Sequence, residues 1–339
     1  MEKHYFFGSN TPSGFRGEYG HITNGADIII LKGGAGTGKS TLMRKVADAC
    51  IKNDMAAELY HCSSDIKSLD CVYIPSLNRA VVDGTPPHVI EATHPLTRHF
   101  VFNLLDKADY NKLKPFKAAI ENCVNYKKQY FKNTYCYLKC AYELQSNLDA
   151  IIAPNIRDDK IEETADNIFS LISDGGAEKH DRRFLSAITD KGIADYYNET
   201  LSDCKTVAVD YEFEVQYQRL LKRLIFLLDA HNVRYTLFIS PFSAGAAEGL
   251  KTGGYAVAPR RFINDPAFKF DLELSLKSFN RHFAATDTPV IEDLISKAIR
   301  SVNYAHLTHM EIEKFYYEAM DWEDINDKTN RIINLILNF

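Results

Sequence analysis

The sequence predicts an α/β protein in which one three-layer unit, a mostly parallel sheet between helices, occurs twice. Three observations predict it. A short apolar run, Ile28 to Leu31, leads into the glycine-rich stretch Gly33-Gly34-Ala35-Gly36-Thr37-Gly38-Lys39-Ser40, and a helical pattern follows. Short apolar strands then alternate with longer helical stretches, which implies parallel strands joined by crossovers. Finally, Phe6, Thr11, Gly14 and Tyr19 recur as Phe184, Thr189, Gly192 and Tyr197, all at the one offset that separates Gly14 from Gly192.

Residues 4–25 are rich in Gly, Phe and Tyr and are expected to form short strands or a hairpin packed on the sheet. The run Ile28 to Leu31 does not alternate, as suits a strand buried on both faces. Gly33 to Ser40 fit G-x-x-x-x-G-K-[ST], the phosphate-binding loop, in the strand–loop–helix setting that the motif requires. Glycines let the backbone wrap closely, so that amide groups and the helix N-terminus face a polyphosphate. Gly33, Gly34, Ala35, Gly36, Thr37, Gly38, Lys39, Ser40 and Thr41 are therefore expected to hold ATP. Lys39 would reach the β- and γ-phosphates, and the Ser40 hydroxyl would ligate Mg2+. The loop is expected to face solvent. No Asn-Lys-x-Asp signature occurs, so ATP is preferred to GTP.

After the helix that begins at Ser40, Ala57 to His61 reads as a strand that runs into Cys62-Ser63-Ser64-Asp65. Cys71 to Ile74 and Arg79 to Val82 are two more strands, the latter ending in Asp83-Gly84. In a parallel sheet, ligands sit beyond the carboxyl ends of the strands, so both acid-bearing ends should face the loop. Asp83 is the expected Mg2+-shell acid. Asp65 is the competing candidate, or the group that orients a water or accepts a hydroxyl proton. No glutamate follows Asp83, which argues against a fast mechanical ATPase. A helical extension is expected over about 97–173, with the linker Asp174-Gly175-Gly176-Ala177 behind it. Its Tyr126, Tyr130, Tyr135, Tyr137 and Tyr142 among lysines suit an amphipathic helix pair better than a single-strand nucleic-acid surface.

Beyond the linker the pattern starts again, giving domains 1–175 and 180–339, the second with a helical tail over about 266–339. The offset lays Thr206 to Val209 over Ile28 to Leu31, and Leu237-Phe238 over Leu59-Tyr60. Ala256-Val257-Ala258 matches Ala80-Val81-Val82 once two residues are dropped. Where Gly33 to Ser40 stood, the second copy has Tyr211-Glu212-Phe213-Glu214-Val215-Gln216-Tyr217-Gln218, with no glycine, no lysine and two carboxylates. Those carboxylates would repel a triphosphate, so one chain should bind one ATP. Arg260 and Arg261 follow the third strand of the second copy, either as arginine fingers towards the γ-phosphate or as strand-end arginines.

A formal net charge of −5 leaves no basic excess and speaks against a nucleic-acid partner. No apolar run approaches the length of a membrane span, and Met1 to Tyr5 lacks the order of a signal peptide. Seven scattered cysteines suit a cytoplasmic protein with reduced thiols. His61, Cys62, His88 and His94 gather near one predicted sheet edge, but their spacings match no zinc pattern. His88 or His94 contacting phosphate or substrate is the better reading. Cys136 with Cys140, and His306 with His309, have helical spacing and read as packing or surface residues.

Four blocks carry a resemblance: His4 to Gly8, Lys32 to Leu42, His61 to Asp65, and Asp83 to His88. Together they resemble a bacterial family of tandem P-loop ATPase or nucleotide-kinase-like proteins. The likeness is strong over most of the first half and weak over the second. Members commonly carry a second P-loop, and this chain departs from them there. The resemblance implies a duplicated P-loop NTPase fold that binds ATP, and it leaves the acceptor open. Three readings stand: an Mg2+-dependent ATPase whose inactive half is a structural or regulatory partner, a kinase passing the γ-phosphate to a small-molecule or nucleotide hydroxyl, and an ATP-dependent interaction protein with negligible turnover.

Overall fold

The computed structural model describes residues 2–174, 181–243 and 245–338. In the first half the chain forms β1 (Glu2–Phe6), the hairpin β2 (Gly8–Thr11) and β3 (Gly14–Gly17), the helical turn α1 (Gly20–Thr23), β4 (Asp27–Lys32), α2 (Lys39–Lys52), β5 (Ala57–His61), β6 (Leu69–Ile74), β7 (Arg79–Asp83) and β8 (His99–Asn103). A short helix α3 (Tyr110–Leu113), the long α4 (Lys117–Ile152) and α5 (Asp158–Ile172) complete it. The second half repeats the order: β9 (Asp181–Arg183), β10 (Ser186–Thr189), β11 (Gly192–Asp195), α6 (Tyr197–Thr200), β12 (Lys205–Asp210), α7 (Glu214–Ala230), β13 (Thr236–Ile239), β14 (Ala247–Thr252), β15 (Tyr255–Pro259), β16 (Phe268–Asp271), α8 (His282–Ala319) and α9 (Trp322–Asn338). The linker expected at 174–177 lies, from Gly175 on, outside the described residues.

The duplication extends to topology. One six-stranded sheet runs β1-β5-β6-β7-β4-β8 and the other β9-β13-β14-β15-β12-β16, with each pair in the same sense as its counterpart. A register shift at Tyr60/His61 recurs at the same offset, at Phe238/Ile239. Equivalent residues meet where the halves join: the Phe6 amide donates to Phe184 O at 2.9 Å, and Asn10 Nδ2 donates to Ile188 O at 3.0 Å. Contact between equivalent positions of the two copies places them at a local pseudo-twofold axis.

Each sheet is mixed: mostly parallel, with one strand reversed. β6 runs against both β5 and β7. Its links are too short for a crossover: residues 62–68 lead in and 75–78 lead out, and such links join antiparallel strands. The layering differs from the expected sandwich for the same reason. Between its strands each sheet has just one long crossover helix, α2 or α7, which covers one face. The opposite faces meet each other. Ile28, Ile30, Tyr60 and Val82 from one sheet share a core with Ala208, Phe238, Ala256 and Ala258 from the other, and the helical turns α1 and α6 add Ile22 and Tyr197.

The last helix of each half crosses to the other half. Ile325, Ile332 and Ile336 of α9 pack on Leu42, Val46 and Ala47 of α2, and Arg79 Nη1 donates to Ile336 O at 2.6 Å. Reciprocally, Ile161, Ala165, Ile168 and Ile172 of α5 pack on Leu220, Leu221, Leu224 and Leu228 of α7. The carriers of this exchange are α4 and α8, which lie antiparallel: Phe116 meets Phe315, Tyr130 meets Tyr304, and Leu138 clusters with Ala298. The sequence boundary near 175–180 separates the copies, but the packing trades their final helices. Ile332→Ala should therefore destabilise the chain by about 2–5 kcal/mol. Hydrogen exchange should show faster exchange in α2, in the other half of the sequence, whereas an effect confined to the second half would contradict the trade.

Candidate functional site

The carboxyl ends of β1, β5, β7, β4 and β8 lie along one edge of the first sheet, because β6 is the strand that runs the other way. The glycine loop, residues 33–38, leaves β4 at that edge and enters α2. The middle of β4 is interior: Ile28, Ile30 and Leu31 have no exposed surface and Ile29 has 4%. Gly36 and Gly38 have φ of 70° and 84°, a region that favours glycine. Gly38 is the N-cap of α2 and brings no side-chain hydrogen bond, so the first-turn amides and the positive end of the helix dipole point into the loop.

Within the loop, Thr37 Oγ1 donates to Gly34 O at 3.0 Å, and Lys39 Nζ donates to Gly33 O at 2.7 Å and Gly34 O at 2.6 Å. Lys39 also lies 3.5 Å from Asp83 Oδ2. Burial pushes the Asp83 carboxyl up, against the pull of the Lys39 ammonium, while Thr85 donates to Asp83 from its amide at 2.9 Å and from its hydroxyl. Ser40 Oγ accepts the Leu69 amide at 3.0 Å. Thr41 is exposed on the first turn of α2, and Ala35 is half-buried. Of the two candidate acids, Asp83 is the one beside Lys39. Asp65 closes its own turn, accepting Ser68 Oγ at 2.6 Å and the Lys67 amide at 3.1 Å.

A second ion pair stands behind the first. His88 Nε2 is 3.0 Å from Asp70 Oδ2, both side chains are buried, and Phe7 and Phe15 are set edge-on to the imidazole. Burial disfavours the charged ring, but the Asp70 carboxylate outweighs it and holds His88 above its ordinary range. His61 sits at the same edge, bound to His4 Nδ1 at 3.0 Å and Ile66 O at 2.8 Å, and burial lowers it to about 4. His94 does not join them. It is exposed in the turn before β8, at the opposite edge of the sheet. The aromatics of residues 4–25 pack inward, with Phe7 stacked on Tyr19 at 4.5 Å.

The loop does not face solvent. The end of α8 and the start of α9, both from the second half, lie across it. A Cβ on Gly36 would come within 2.5 Å of Glu313 O, one on Gly34 within 3.6 Å of Tyr316, and one on Gly38 within 3.1 Å of Trp322. Burial and the nearby Asp65 charge push the Glu313 carboxyl up, with the Gly36 amide opposing. His309 Nε2 is 3.5 Å from Glu313 Oε1, and Lys127 Nζ of α4 is 3.2 Å from His309 Nδ1. Lys127, His309 and Glu313 therefore lie beside the loop, with His309 half-exposed in the packing between α4 and α8, as its helical spacing suggested. The available signal was the i, i+4 spacing of His309 and Glu313. Nothing local could say that this helix face returns to a loop in the other half of the chain.

The corresponding edge of the second sheet is filled. The link from β12 to α7, 211–213, is half as long as the link from β4 to α2, 33–38. Gln216 Oε1 accepts the Phe213 amide at 2.9 Å, and Tyr217, at the Lys39 position, donates to Glu248 O at 3.0 Å. Glu248 stands where Asp70 does, at the same offset, and accepts Ser186 Oγ and Tyr197 OH. Neither arginine reaches towards the glycine loop. Arg261 binds Tyr211 OH, lies over Phe262 and stands 3.8 Å from Glu248, while Arg260 binds Ile263 O. The finger reading thus gives way to a role inside the second half.

Among the described residues, no group of three or more His, Cys, Asp or Glu side chains could hold a metal ion, and no helix is long and apolar enough to cross a membrane. Set beside models of protein families, curated proteins and solved structures, the chain finds no match in any of the three.

Burial raises Glu248 to about 7, with the Ser186 hydrogen bond and Arg261 opposing. Its folded value lies above the ordinary 4.5, so its contribution is complete below pH 4.5 and lost as pH rises through about 7. Between pH 5 and 8 the unfolding free energy of the wild type should fall relative to Glu248→Gln by on the order of a few kcal/mol. A constant difference across that range would contradict it.

Proposed function

We propose that residues 33–41 bind one ATP with Mg2+, that the chain hydrolyses it, and that the second half serves as a structural and regulatory partner without nucleotide of its own. The observation that carries this reading is the glycine loop between an interior strand and an uncapped helix, with Lys39 folded onto it and Asp83 3.5 Å away. An ammonium held by two loop carbonyls and one carboxylate is placed to exchange those partners for phosphate oxygens. The loop amides and the first turn of α2 supply donors that carry no charge of their own to desolvate.

The residues fit Mg2+ in kind. Ser40 Oγ and Asp83 Oδ2 are hard oxygen donors, the first next to Lys39 in sequence and the second beside it in space. Mg2+ keeps several waters and shares itself with substrate phosphates rather than needing a cage of side chains. When bound, it would offset phosphate charge. Asp83, pushed up by burial, would gain from such a charge beside it. The resemblance to tandem P-loop proteins points the same way, and we place the chain in the cytoplasm on the strength of its free cysteines.

Lys39→Ala should reduce Mg·ATP affinity or turnover by at least tenfold, because the cation facing the outer phosphates is lost. Lys39 also ties the loop to Asp83, so a circular dichroism melt accompanies the measurement. A folded variant with unchanged binding and hydrolysis would refute the assignment. Asp83→Asn should weaken the Mg2+ dependence of hydrolysis more than nucleotide binding. The same effect from Asp65→Asn alone would exchange the two acids.

A further inference from the structure

We propose that Lys127, brought to the glycine loop by α4, takes the outermost phosphate of a bound nucleoside triphosphate, so that the long helices rather than the loop distinguish triphosphate from diphosphate. The inference rests on the reading of residues 33–41 as a nucleotide site and adds a residue and a specificity to it.

Three observations lead to Lys127. First, it is tied to the loop through a short chain of contacts. Its Nζ is 3.2 Å from His309 Nδ1, His309 Nε2 is 3.5 Å from Glu313 Oε1, and Glu313 lies directly on Gly36. Secondly, its charge has no charged partner. Among the described residues no carboxylate oxygen pairs with Lys127 Nζ, whereas Lys39 has Asp83 and His88 has Asp70. Its partner is an imidazole that burial keeps neutral at pH 7. An ammonium has three donors, so hydrogen-bonding capacity remains for a ligand. Burial lowers Lys127 from its ordinary range, and the Lys39 charge adds to that, while Cys62, Glu313 and Asp83 oppose it. An anion beside Lys127 would offset the repulsion it feels from Lys39.

The third observation comes from the pseudo-symmetry. The other end of the α4–α8 pair lies over the filled edge of the second sheet, and there Leu144, Leu148 and Ile291 pack with Phe213 and Val215, with the acid Asp149 beside them. The helix pair carries Lys127, His309 and Glu313 at the end where the glycine loop exists. Glu313 lies against Gly36, over the loop that a phosphate would face. A ligand that displaces Glu313 from Gly36 and reaches past the loop towards α4 would meet His309 and then Lys127. A diphosphate that ends at Lys39 would not.

The test is affinity for Mg·ATP and Mg·ADP, measured by calorimetry on the full chain for wild type, Lys127→Gln, Lys127→Met and Lys127→Arg. Wild type is expected to prefer ATP. Lys127→Gln and Lys127→Met should each lose about tenfold or more of ATP affinity with ADP affinity changed less than twofold, the size of one charge-assisted contact. Lys127→Arg should keep the preference. Thermal melts confirm folding, and the Met variant preserves the packing of the stem. Lys39-dependent binding of ATP with an ATP/ADP ratio unaltered by Lys127→Gln or Lys127→Met would overturn the inference and leave the nucleotide site standing. A wild-type chain that binds neither nucleotide would overturn both.

Discussion

The antiparallel contact between α4 and α8 is the constraint on which the rest of the structure depends. Each half has a single crossover helix, too little to cover the outer face of a six-stranded sheet. The missing cover is the last helix of the other half, and α4 and α8 are what carry α5 and α9 across. Without that exchange, Leu42, Val46 and Ala47 on one side and Leu220, Leu224 and Leu228 on the other would meet water. At about 25 cal/mol per Å2 of apolar surface this cost is large beside the net stability of a domain. The halves are thus two copies of one topology that complete each other.

The same exchange builds the site. Gly33 to Ser40 are shaped by local forces: a buried strand, two positive-φ glycines and an uncapped helix. The groups that roof them, Glu313, Tyr316 and Trp322, arrive from the second half. The second half has no glycine loop, yet its helices close the loop of the first, which gives it a physical reason to persist. At its own edge, Tyr217 and Glu248 stand in place of Lys39 and Asp70, and with Arg261 and Tyr211 they satisfy one another.

What could be read from the sequence was the local part. β4, the loop and α2 were legible because burial, turn and helix signals follow one another without a break from Asp27 to Lys52. The duplication was legible because gaps are few: β4 to β12 and β6 to β14 keep one offset. The direction of β6 was not legible because its apolar run looks the same in either direction, and only the short links on both sides carried it. The destination of α5 and α9 was illegible, since an amphipathic helix shows that it has an apolar face and not which sheet receives it. The approach of Lys127 and His309 to the loop was illegible for that reason, since it depends on two distant helices that the fold brings to one place.

The central claim is that this pair of half-similar units has one nucleotide site, built by the first and closed by the second. Titration calorimetry of the full chain with ATP and Mg2+ measures it directly. One equivalent per chain, abolished by Lys39→Ala and unaffected by Tyr217→Phe at the matching position, is the result this account predicts. Two equivalents per chain, or one that survives Lys39→Ala, would contradict it.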